Sequence, residues 1–317
     1  MTQSSLDSER WSGKRVLLVS GGDGSERAVS IATGDAFERA LNRAGVEHLR
    51  FDFRRERLAE LVTIEADVAL LAVHGLDGEN GHLQSVFEMQ GIPYTGAGVM
   101  SSAVAMDKVM SKRLFAEASV PTPSSRVIRS EGGDETPAIP MNVPFVVKPS
   151  LEGSSVGITI VHEPGQWPAA WALAVASRGQ VLVEAFVAGR ELSVGVRDGA
   201  LMGIVEIRST DGVYDYEAKY VRGDTNYLIP APLSAEQSDA VGAVAIAAYD
   251  SLGCRGVARA DILLDDRGAV WVLEVNTVPG MTATSLVPKM AACGGQDFDA
   301  FVLSLLDDAT LDVMEER

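Results

Sequence analysis

The N-terminal part of the chain has the order strand, helix, strand, strand, and this order constrains the fold more than any other feature. Residues 15–20 form a short apolar run, and apolar residues then recur at helical spacing over 26–44 until Gly45, a residue typical of helix ends. Strand-like runs follow at 48–53 and 68–73. Strands that alternate with helices indicate a parallel sheet with crossover helices, so we expect an α/β fold.

The rest of the chain predicts antiparallel strand pairs. Residues 121–144 contain five prolines and little periodicity, so they predict a loop-rich entry into a second unit. Asp198-Gly199 predicts a hairpin turn between strands at 191–197 and 201–208, and residues 209–229 predict a long loop. Further strands are predicted at 145–148, 156–161, 181–187, 256–264 and 269–276, and further helices at 165–177, at 235–251 and from Asp297.

The net charge is strongly negative and excludes two classes of partner. There are 27 Lys and Arg residues against 44 Asp and Glu residues, which gives −17 at neutral pH. An acidic surface repels phosphate backbones and anionic lipids, so we expect binding neither to nucleic acid nor to a membrane. No apolar run approaches the ~20 residues of a membrane span, and residues 1–15 lack the apolar region of a signal peptide, so we expect neither. Cys254 and Cys293 lack metal or redox spacing, so the composition predicts a cytoplasmic protein.

Residues 256–276 predict a β-hairpin that gathers oxygen-bearing side chains on one face. With a two-residue turn, Asp261 lies opposite Glu274, and Arg259 lies opposite Asn276. Opposed carboxylates repel each other unless a cation sits between them. Two acids and an amide, with no His or Cys nearby, favour Mg²⁺ over Zn²⁺.

An alternative for the same hairpin is a solvated strand face on which Arg259 neutralises the acids. The turn of the hairpin is predicted at Arg267-Gly268. The other face of the first strand of the hairpin, which includes Ala258 and Ile262, is apolar. The turn at 276–280 also offers backbone N–H groups to an anion. These features favour a site for a metal and a phosphate.

Several other residues are candidates for binding a nucleotide, although neither a dinucleotide fingerprint nor a P-loop is present. Lys148 ends an apolar strand and precedes a small, flexible Gly-Ser loop at 152–157, which is typical of a phosphate cover. Lys108 stands at a predicted helix start. Glu184 is a candidate acceptor for an exocyclic amine and Glu191 for a ribose, and the alternative for each is a surface charge.

Two further segments have both a functional and a structural interpretation. Residues 214–220 contain three tyrosines and a lysine, and they predict either a lid that closes over substrate or an aromatic loop anchored on the core. His74 follows an apolar strand, at the sheet edge where α/β folds bind ligands. Its alternative is a hydrogen-bonded structural histidine. His74 and His82 lack a third ligand for zinc.

In their order along the chain, these motifs resemble those of the D-alanine–D-alanine ligases, a family of ATP-grasp enzymes. The matching motifs are Gly21-Gly22-x-x-Ser25-Glu26-Arg27-x-Val29-Ser30, His74-Gly75-x-x-Gly78-Glu79-x-Gly81, Pro93-Tyr-Thr-Gly-x-Gly98, Met106-Asp107-Lys108, Val147-Lys148-Pro149, 152–157, 214–220, Arg259-x-Asp261 and 274–281 with Ser285-Leu286. The resemblance extends from about residue 15 to residue 305.

The resemblance implies a three-domain ATP-grasp fold whose first domain contains the parallel sheet. The implied limits are 1–97 for the N-terminal α/β domain, 98–188 for the central domain and 189–317 for the C-terminal domain. The residues implied for the nucleotide are Lys108, Lys148, Glu184, Glu191 and Lys219. Those implied for Mg²⁺ or Mn²⁺ are Asp261, Glu274 and Asn276. Those implied for D-alanine binding and catalysis are Glu26, His74, Ser154, Tyr220, Arg259, Gly280, Ser285 and Leu286.

The implied reaction joins two D-alanines through a D-alanyl phosphate, at the expense of ATP, for cell-wall peptidoglycan synthesis. A homodimer is the implied assembly. The nearest alternatives keep the chemistry but use D-serine or D-lactate as the second substrate. Tyr220, in an intact lid motif, favours the dipeptide over the D-lactate product. A non-catalytic ATP-binding protein on this fold is the alternative of another class, but Arg259 and the predicted metal ligands are all retained.

Overall fold

The computed structural model describes residues 10–129, 136–153, 156–177, 180–208 and 225–312. Within these ranges the strands are β1 (Val16–Gly21), β2 (His48–Phe53), β3 (Val68–Leu71), β4 (Ser125–Ile128), β5 (Phe145–Pro149), β6 (Thr159–Val161), β7 (Val181–Ala185), β8 (Gly189–Arg197), β9 (Ala200–Arg208), β10 (Asn226–Leu228), β11 (Val257–Asp265) and β12 (Val270–Asn276). The α-helices are α1 (Arg27–Ala44), α2 (Leu58–Leu61), α3 (Leu76–Glu79), α4 (His82–Gln90), α5 (Val99–Met106), α6 (Lys108–Glu117), α7 (Trp167–Val175), α8 (Ala235–Ser251), α9 (Leu286–Cys293) and α10 (Phe298–Asp307). None of these helices is both long and apolar enough to cross a bilayer.

The N-terminal sheet is parallel, which confirms the expectation from the strand–helix–strand order. Its strands lie in the order β2–β1–β3, and α1 crosses over between β1 and β2. Phe37 and Leu41, one turn apart on α1, are buried in the core of this sheet. Helix α10 joins the same core, where the ring of Phe298 lies 6.4 Å from that of Phe37. Residues near the two ends of the chain therefore stabilise one domain.

Two antiparallel sheets follow along the chain. The four-stranded sheet has the order β4–β7–β5–β6, and the five-stranded sheet has the order β10–β9–β8–β11–β12. Helix α8 packs in one core with Ala258, Ala260 and Ile262 of β11. Because side chains alternate along a strand, Arg259 and Asp261 lie on the opposite face of that sheet.

Two short strands lie in segments predicted as loop, so those predictions are wrong at these positions. Strand β4 lies within 121–144 and pairs with β7, and β10 lies within 209–229 and pairs with β9. Both are short edge strands with little buried surface, so neither has the alternation by which a strand is recognised in sequence. Helix α9 was not assigned from the sequence.

The turn of the β11–β12 hairpin is longer than predicted. Leu264 pairs with Val270, and the backbone of Asp265 bonds to that of Ala269, so three residues form the loop instead of two. A β-bulge then shifts the pairing by one residue between Asp261 and Ile262. The two deviations cancel, and the predicted register is restored nearer the strand ends.

Candidate active site

A cavity of about 470 Å³ is lined by the start of helix α1 and other N-terminal residues, by the five-stranded sheet and by the segment that follows β12. The predicted site residues in its wall are Glu26, His74, Arg259, Asp261, Glu274, Asn276, Gly280, Ser285 and Leu286. A smaller pocket of about 30 Å³ shares Glu26, Glu274 and Asn276 with this cavity and adds Lys108. Residues from both ends of the sequence therefore meet at one place, as a substrate site requires.

The hairpin places its four polar residues as predicted. Asp261 lies opposite Glu274, and Arg259 lies opposite Asn276. Arg259 donates two hydrogen bonds to Asp261, from Nε to Oδ1 at 2.9 Å and from Nη2 to Oδ2 at 2.8 Å. Asn276 Nδ2 donates to Asp261 Oδ2 at 3.1 Å. The guanidinium thus offsets one of the two facing carboxylates.

Lys108 offsets the other carboxylate. Its Nζ lies 2.9 Å from Glu274 Oε2 and donates to the backbone oxygen of Glu152 at 2.8 Å. Burial by itself would lower the pKa of Lys108, but the charge and hydrogen bond of Glu274, together with the charges of Glu184 and Glu79, outweigh burial and raise that pKa above its usual value. Asp107 caps the helix that Lys108 begins, by accepting a hydrogen bond from the backbone of Val109. The ammonium is therefore held where the Gly-Ser loop meets the hairpin.

The side-chain oxygens of Asp261, Glu274 and Asn276 form the candidate metal site. In the part of the chain that the structure describes, no three His, Cys, Asp or Glu side chains are grouped as a metal site by themselves. Two carboxylates and one amide on neighbouring strands nevertheless fit Mg²⁺, a hard cation that takes few protein ligands and completes its shell with water and phosphate.

Ser193 is a site residue that the sequence analysis missed. Strand β8 pairs with β11 so that Ser193 lies opposite Asp261, and Ser193 Oγ donates to Asp261 Oδ1 at 3.1 Å. Glu191, the predicted ribose ligand, lies two residues earlier on β8 and opposite Leu263. The alternation of side chains places Glu191 on the same face as Ser193 and Asp261, about 7 Å along the strand.

Lys148 and Glu184 form a second polar cluster on the central sheet. They lie on β5 and β7, and the Lys148 ammonium forms an ion pair with Glu184 Oε2. Lys112, which was not predicted, lies 2.7 Å from the other carboxylate oxygen. Burial alone would raise the pKa of Glu184, but the two ammonium groups outweigh it and hold the pKa below its usual range. Glu184 is therefore an anion, although it is buried.

His74 connects the N-terminal sheet to the segment after β12. Its Nδ1 lies 2.8 Å from the backbone oxygen of Val278, which can only accept, so Nδ1 carries the proton. Nε2 then accepts from Thr33 Oγ1, also at 2.8 Å. Burial lowers the pKa of His74, which agrees with a neutral ring. Both ring nitrogens thus bond to protein atoms, as the structural alternative for His74 requires.

Glu26 lies beside Glu79, a second residue missed from the sequence. Burial, with the nearby charge of Glu26, raises the pKa of Glu79 to about 8. Glu79 Oε1 accepts a hydrogen bond from the backbone of Gly75 at 2.8 Å. Gly75 has a φ of 74°, and a side chain there would collide with the Glu26 carboxylate. Only glycine at position 75 therefore allows Glu26 and Glu79 to lie beside each other. In this arrangement Glu79 keeps its proton near neutral pH.

Ser285 and Leu286 begin helix α9 at the far wall of the cavity. Ser285 Oγ accepts from the backbone of Thr282 at 3.1 Å and makes no capping bond within its own helix. The first N–H groups of a helix lack internal partners and favour an anion such as a carboxylate. Gly280 lies close by, since a Cβ there would come within 3.2 Å of Ser285 Oγ.

Ser154, Lys219 and Tyr220 lie outside the described residues, and so does the predicted lid at 214–220. Of the Gly-Ser loop, Gly153 approaches the cavity, because a Cβ on it would lie 3.2 Å from Glu26 Oε2. The roles predicted for the three residues remain predictions.

Of the missed residues, Lys112 had a signal in the sequence, since it follows Lys108 by one helical turn, and Glu79 stands in the motif that begins at His74. Tyr227 lines the cavity from the short strand β10, and the Lys289 ammonium lies 5.2 Å from its ring centre. Ser193 and Tyr227 reach the site through strand pairing between distant segments, which residue spacing does not reveal.

Comparison with known proteins gives a consistent result. Residues 115–307 match the family model described as the D-Ala D-Ala ligase C-terminus. The D-alanine–D-alanine ligase of Stutzerimonas stutzeri is 41% identical over 295 residues, which cover 93% of this chain and 94% of that protein. The corresponding ligase of Anaeromyxobacter dehalogenans strain 2CP-1 is 43% identical, with 95% and 98% covered.

Solved structures show the same fold. The D-alanine–D-alanine ligase of Bacillus anthracis, complexed with ATP, superposes with a TM-score of 0.81 at 29% identity, and the match covers 93% of this chain and 96% of that one. The VanG D-Ala:D-Ser ligase of Enterococcus faecalis gives 0.79 at 27% identity, with 93% and 98% covered.

Proposed function

Since this chain belongs to the D-alanine–D-alanine ligase family, we infer that the cavity is where its reaction takes place. The protein is an ATP-dependent ligase that joins two D-alanines to D-alanyl-D-alanine, a precursor of cell-wall peptidoglycan. The residue roles that follow are our proposal.

One observation carries the proposal of the active site. The hairpin residues Arg259, Asp261 and Glu274 share a single cavity with Glu26 and with the start of helix α9. A carboxylate for the substrate ammonium, cations for phosphate and a helix N-terminus for the substrate carboxylate therefore surround one space. These are the groups that two amino acids and a transferred phosphoryl group need.

The first step activates a carboxylate, because a free carboxylate is a poor acylating agent. Glu26 holds the ammonium of the first D-alanine, and a carboxylate oxygen of this substrate attacks the γ-phosphorus of ATP. ADP leaves, and D-alanyl phosphate remains. Lys108, Lys148 and Lys219 offset the phosphate charges.

We assign the contacts with the adenine and the ribose of ATP to two glutamates. Glu184 accepts from the adenine amine, and Glu191 bonds to the ribose. Glu191 has support in its position on the same sheet face as Asp261.

The second step forms the peptide bond. Ser285 Oγ and the Leu286 N–H hold the carboxylate of the second D-alanine, whose deprotonated amine attacks the carbonyl carbon of the acyl phosphate. Arg259 and the Gly280 N–H donate hydrogen bonds to the oxyanion, and inorganic phosphate then leaves. We assign Tyr220 and Ser154, with Glu26, to the transfer of the amine proton, and the lid motif that contains Tyr220 to the exclusion of water.

His74 acts on this site through the backbone. Its bond to the Val278 oxygen fixes the segment that leads to Gly280 and Ser285. We assign it to positioning of the second substrate.

The donor set of Asp261, Glu274 and Asn276 would hold Mg²⁺ or Mn²⁺. A divalent cation there neutralises charge on the phosphoryl groups during transfer.

We further propose that each chain folds into three domains, which comprise residues 1–97, 98–188 and 189–317. We also propose that the protein is a homodimer and is cytoplasmic. Sedimentation equilibrium of the purified protein tests the assembly, and a monomer mass at micromolar concentration would contradict it.

The ligase reaction is tested with purified protein, ATP, MgCl₂ and D-alanine. We expect ADP release that depends on D-alanine, with D-alanyl-D-alanine identified by mass spectrometry and no release with L-alanine. Absence of D-alanine-dependent ADP would contradict the function.

The same assay measures selectivity at the second position. D-serine and D-lactate are offered as competitors of D-alanine, because a similar fold occurs in a D-Ala:D-Ser ligase. A mixed product that exceeds D-alanyl-D-alanine would assign the chain to one of these alternatives.

A further inference from the structure

The buried ammonium of Lys112 has no role in the reaction described above. Lys112 lies one turn after Lys108 on α6, so both side chains extend from the same face of that helix. Its side chain is only 8% exposed. A buried lysine is costly unless its charge and its three N–H groups are satisfied.

The Lys112 ammonium is surrounded by protein oxygens. Nζ donates to Thr122 Oγ1 at 2.6 Å and to the backbone oxygen of Pro123 at 2.9 Å, and it forms an ion pair with Glu184 Oε1 at 2.7 Å. Two of its three donors are thus used in hydrogen bonds within the protein, and its charge faces a buried carboxylate. Lys112 therefore acts through its neighbours.

One of these neighbours is the Glu184 carboxylate. Glu184 is 1% exposed, and Lys112 and Lys148 hold its two oxygens. The carboxylate thus lies between two cations, and removing Lys112 would leave its Oε1 buried without a cationic partner. Lys112 in this way fixes the orientation of Glu184 and, through it, that of Lys148.

The other neighbour connects the cluster to the hairpin. Thr122 Oγ1 accepts from Lys112 and donates to the backbone oxygen of Val272 at 2.8 Å. The backbone N–H of Val272 donates to the oxygen of Pro121, also at 2.8 Å. Val272 lies on β12, two residues before Glu274. Hydrogen bonds and ion pairs therefore run without a break from Lys148 on the central sheet to the strand that carries a predicted metal ligand.

We propose that Lys112 is a positioning residue for the nucleotide, which fixes the Lys148–Glu184 pair relative to the β12 strand without touching ATP. This inference rests on the proposed function, because that function assigns Lys148 and Glu184 to ATP and Glu274 to the metal. In physical terms, Lys112 links the four-stranded sheet to the five-stranded sheet, and the two sheets are proposed to hold opposite parts of ATP.

The first test replaces Lys112 by methionine, which keeps most of the length of the side chain and removes its charge. We expect Lys112→Met to raise KM for ATP and the Kd for ADP by ~10-fold or more, because a buried ion pair loses one partner. KM for D-alanine should change little. Lys14→Met, which removes one charge from an exposed position, is the matched control and should leave all three constants unchanged.

A double-mutant cycle separates positioning from general damage to the fold. If Lys112 acts through the charge of Glu184, the Lys112→Met change should cost much less in a Glu184→Gln background than in the wild type. An equal cost in the two backgrounds would overturn the proposal, and so would a Lys112→Met protein with the ADP affinity of the control.

If thermal denaturation shows that Lys112→Met does not fold, Thr122→Val tests the proposal instead. It removes the hydroxyl between Lys112 and Val272 but keeps the ion pair, and we expect a smaller rise in the Kd for ADP. An unchanged Kd would refute the link between the sheets. Calorimetric titration with ADP needs no D-alanine, so it distinguishes failure of this inference from failure of the ligase assay.

Discussion

The protonation states of the buried acids and lysines at the site depend on neighbouring charges more than on residue type. Glu79 is half-buried and Glu184 buried, but burial beside Glu26 raises the pKa of the first, and two lysines lower that of the second. The Lys108 ammonium remains a cation because it lies against Glu274. The pairs decide which groups can accept or release a proton.

The raised pKa of Glu79 makes the stability of the apoprotein depend on pH. A glutamate in the unfolded chain has its ordinary pKa of 4.5 and folded Glu79 has a pKa of about 8, so between these values the folded state binds more protons. The free energy of unfolding therefore falls as pH rises, by up to ~1.4 kcal/mol for each pH unit from this residue. Glu79→Gln should remove that fall while keeping the hydrogen bond from Gly75.

Urea denaturation of the two proteins from about pH 5 to pH 8 measures this effect. We expect the stability of Glu79→Gln relative to the wild type to increase with pH. A constant difference across the range would show that Glu79 titrates normally.

Glu274 has two roles in the site, as predicted metal ligand and as partner of Lys108. Glu274→Gln should lower kcat by ~100-fold or more and raise the Mg²⁺ concentration needed for half-maximal rate. Asp266→Asn makes the same chemical change in the loop of the same hairpin and should have neither effect. Wild-type turnover by Glu274→Gln would refute the hairpin metal site.

At the level of elements, the β11–β12 hairpin shows what spacing along a sequence can predict. The alternation of side chains correctly predicts which residues share a face and which oppose each other at the site. The loop length was wrong, because a bulge is set by local backbone geometry and by packing on α8. The prediction at Asp261 and Glu274 survived only because the bulge offsets the extra loop residue.

Gly268 makes this loop, and its replacement tests the geometry. Its φ is 83°, and no atom lies within 4 Å of the position a Cβ would take, so strain in Gly268→Ala comes from the backbone alone. We expect a loss of about 1–2 kcal/mol in the free energy of unfolding.

Gly165→Ala is the matched control, since that position is equally open and its φ is not positive. It should be neutral or slightly stabilising in the same chemical denaturation. Equal losses in the two variants would contradict the assigned turn.

At the scale of the whole molecule, the active site depends on contacts between distant parts of the chain. His74 comes from the N-terminal sheet and bonds to Val278 after β12, a separation of 204 residues. The net charge of −17 describes the whole chain, whereas Lys108, Lys148 and Arg259, each paired with an acid, place positive charges among the residues proposed to bind ATP. An acidic protein can therefore bind ATP.

His74→Leu tests the contact between the N-terminal and C-terminal parts. It removes both ring hydrogen bonds at similar volume, and we expect kcat/KM for D-alanine to fall by ~100-fold, because small displacements of a substrate site are costly. His48→Leu is the control, since the His48 side chain contacts the Val46 oxygen and Glu38 and lies outside the cavity wall. Similar losses of activity in both variants would mean that His74 contributes to stability alone.

The sequence by itself determined the parallel N-terminal sheet, the facing pairs of the hairpin and nine of the residues that line the cavity, because periodicity and local motifs carry that information. Only the tertiary structure decided the states of Glu79 and Glu184, the contact of Ser193 with Asp261 and the bonds of Lys112 to both sheets. These depend on distances between segments far apart in the chain, and such distances exist only after the sheets have packed. The charge of −17 belongs to the first class, and the pairing of Lys108, Lys148 and Arg259 with buried or half-buried acids belongs to the second.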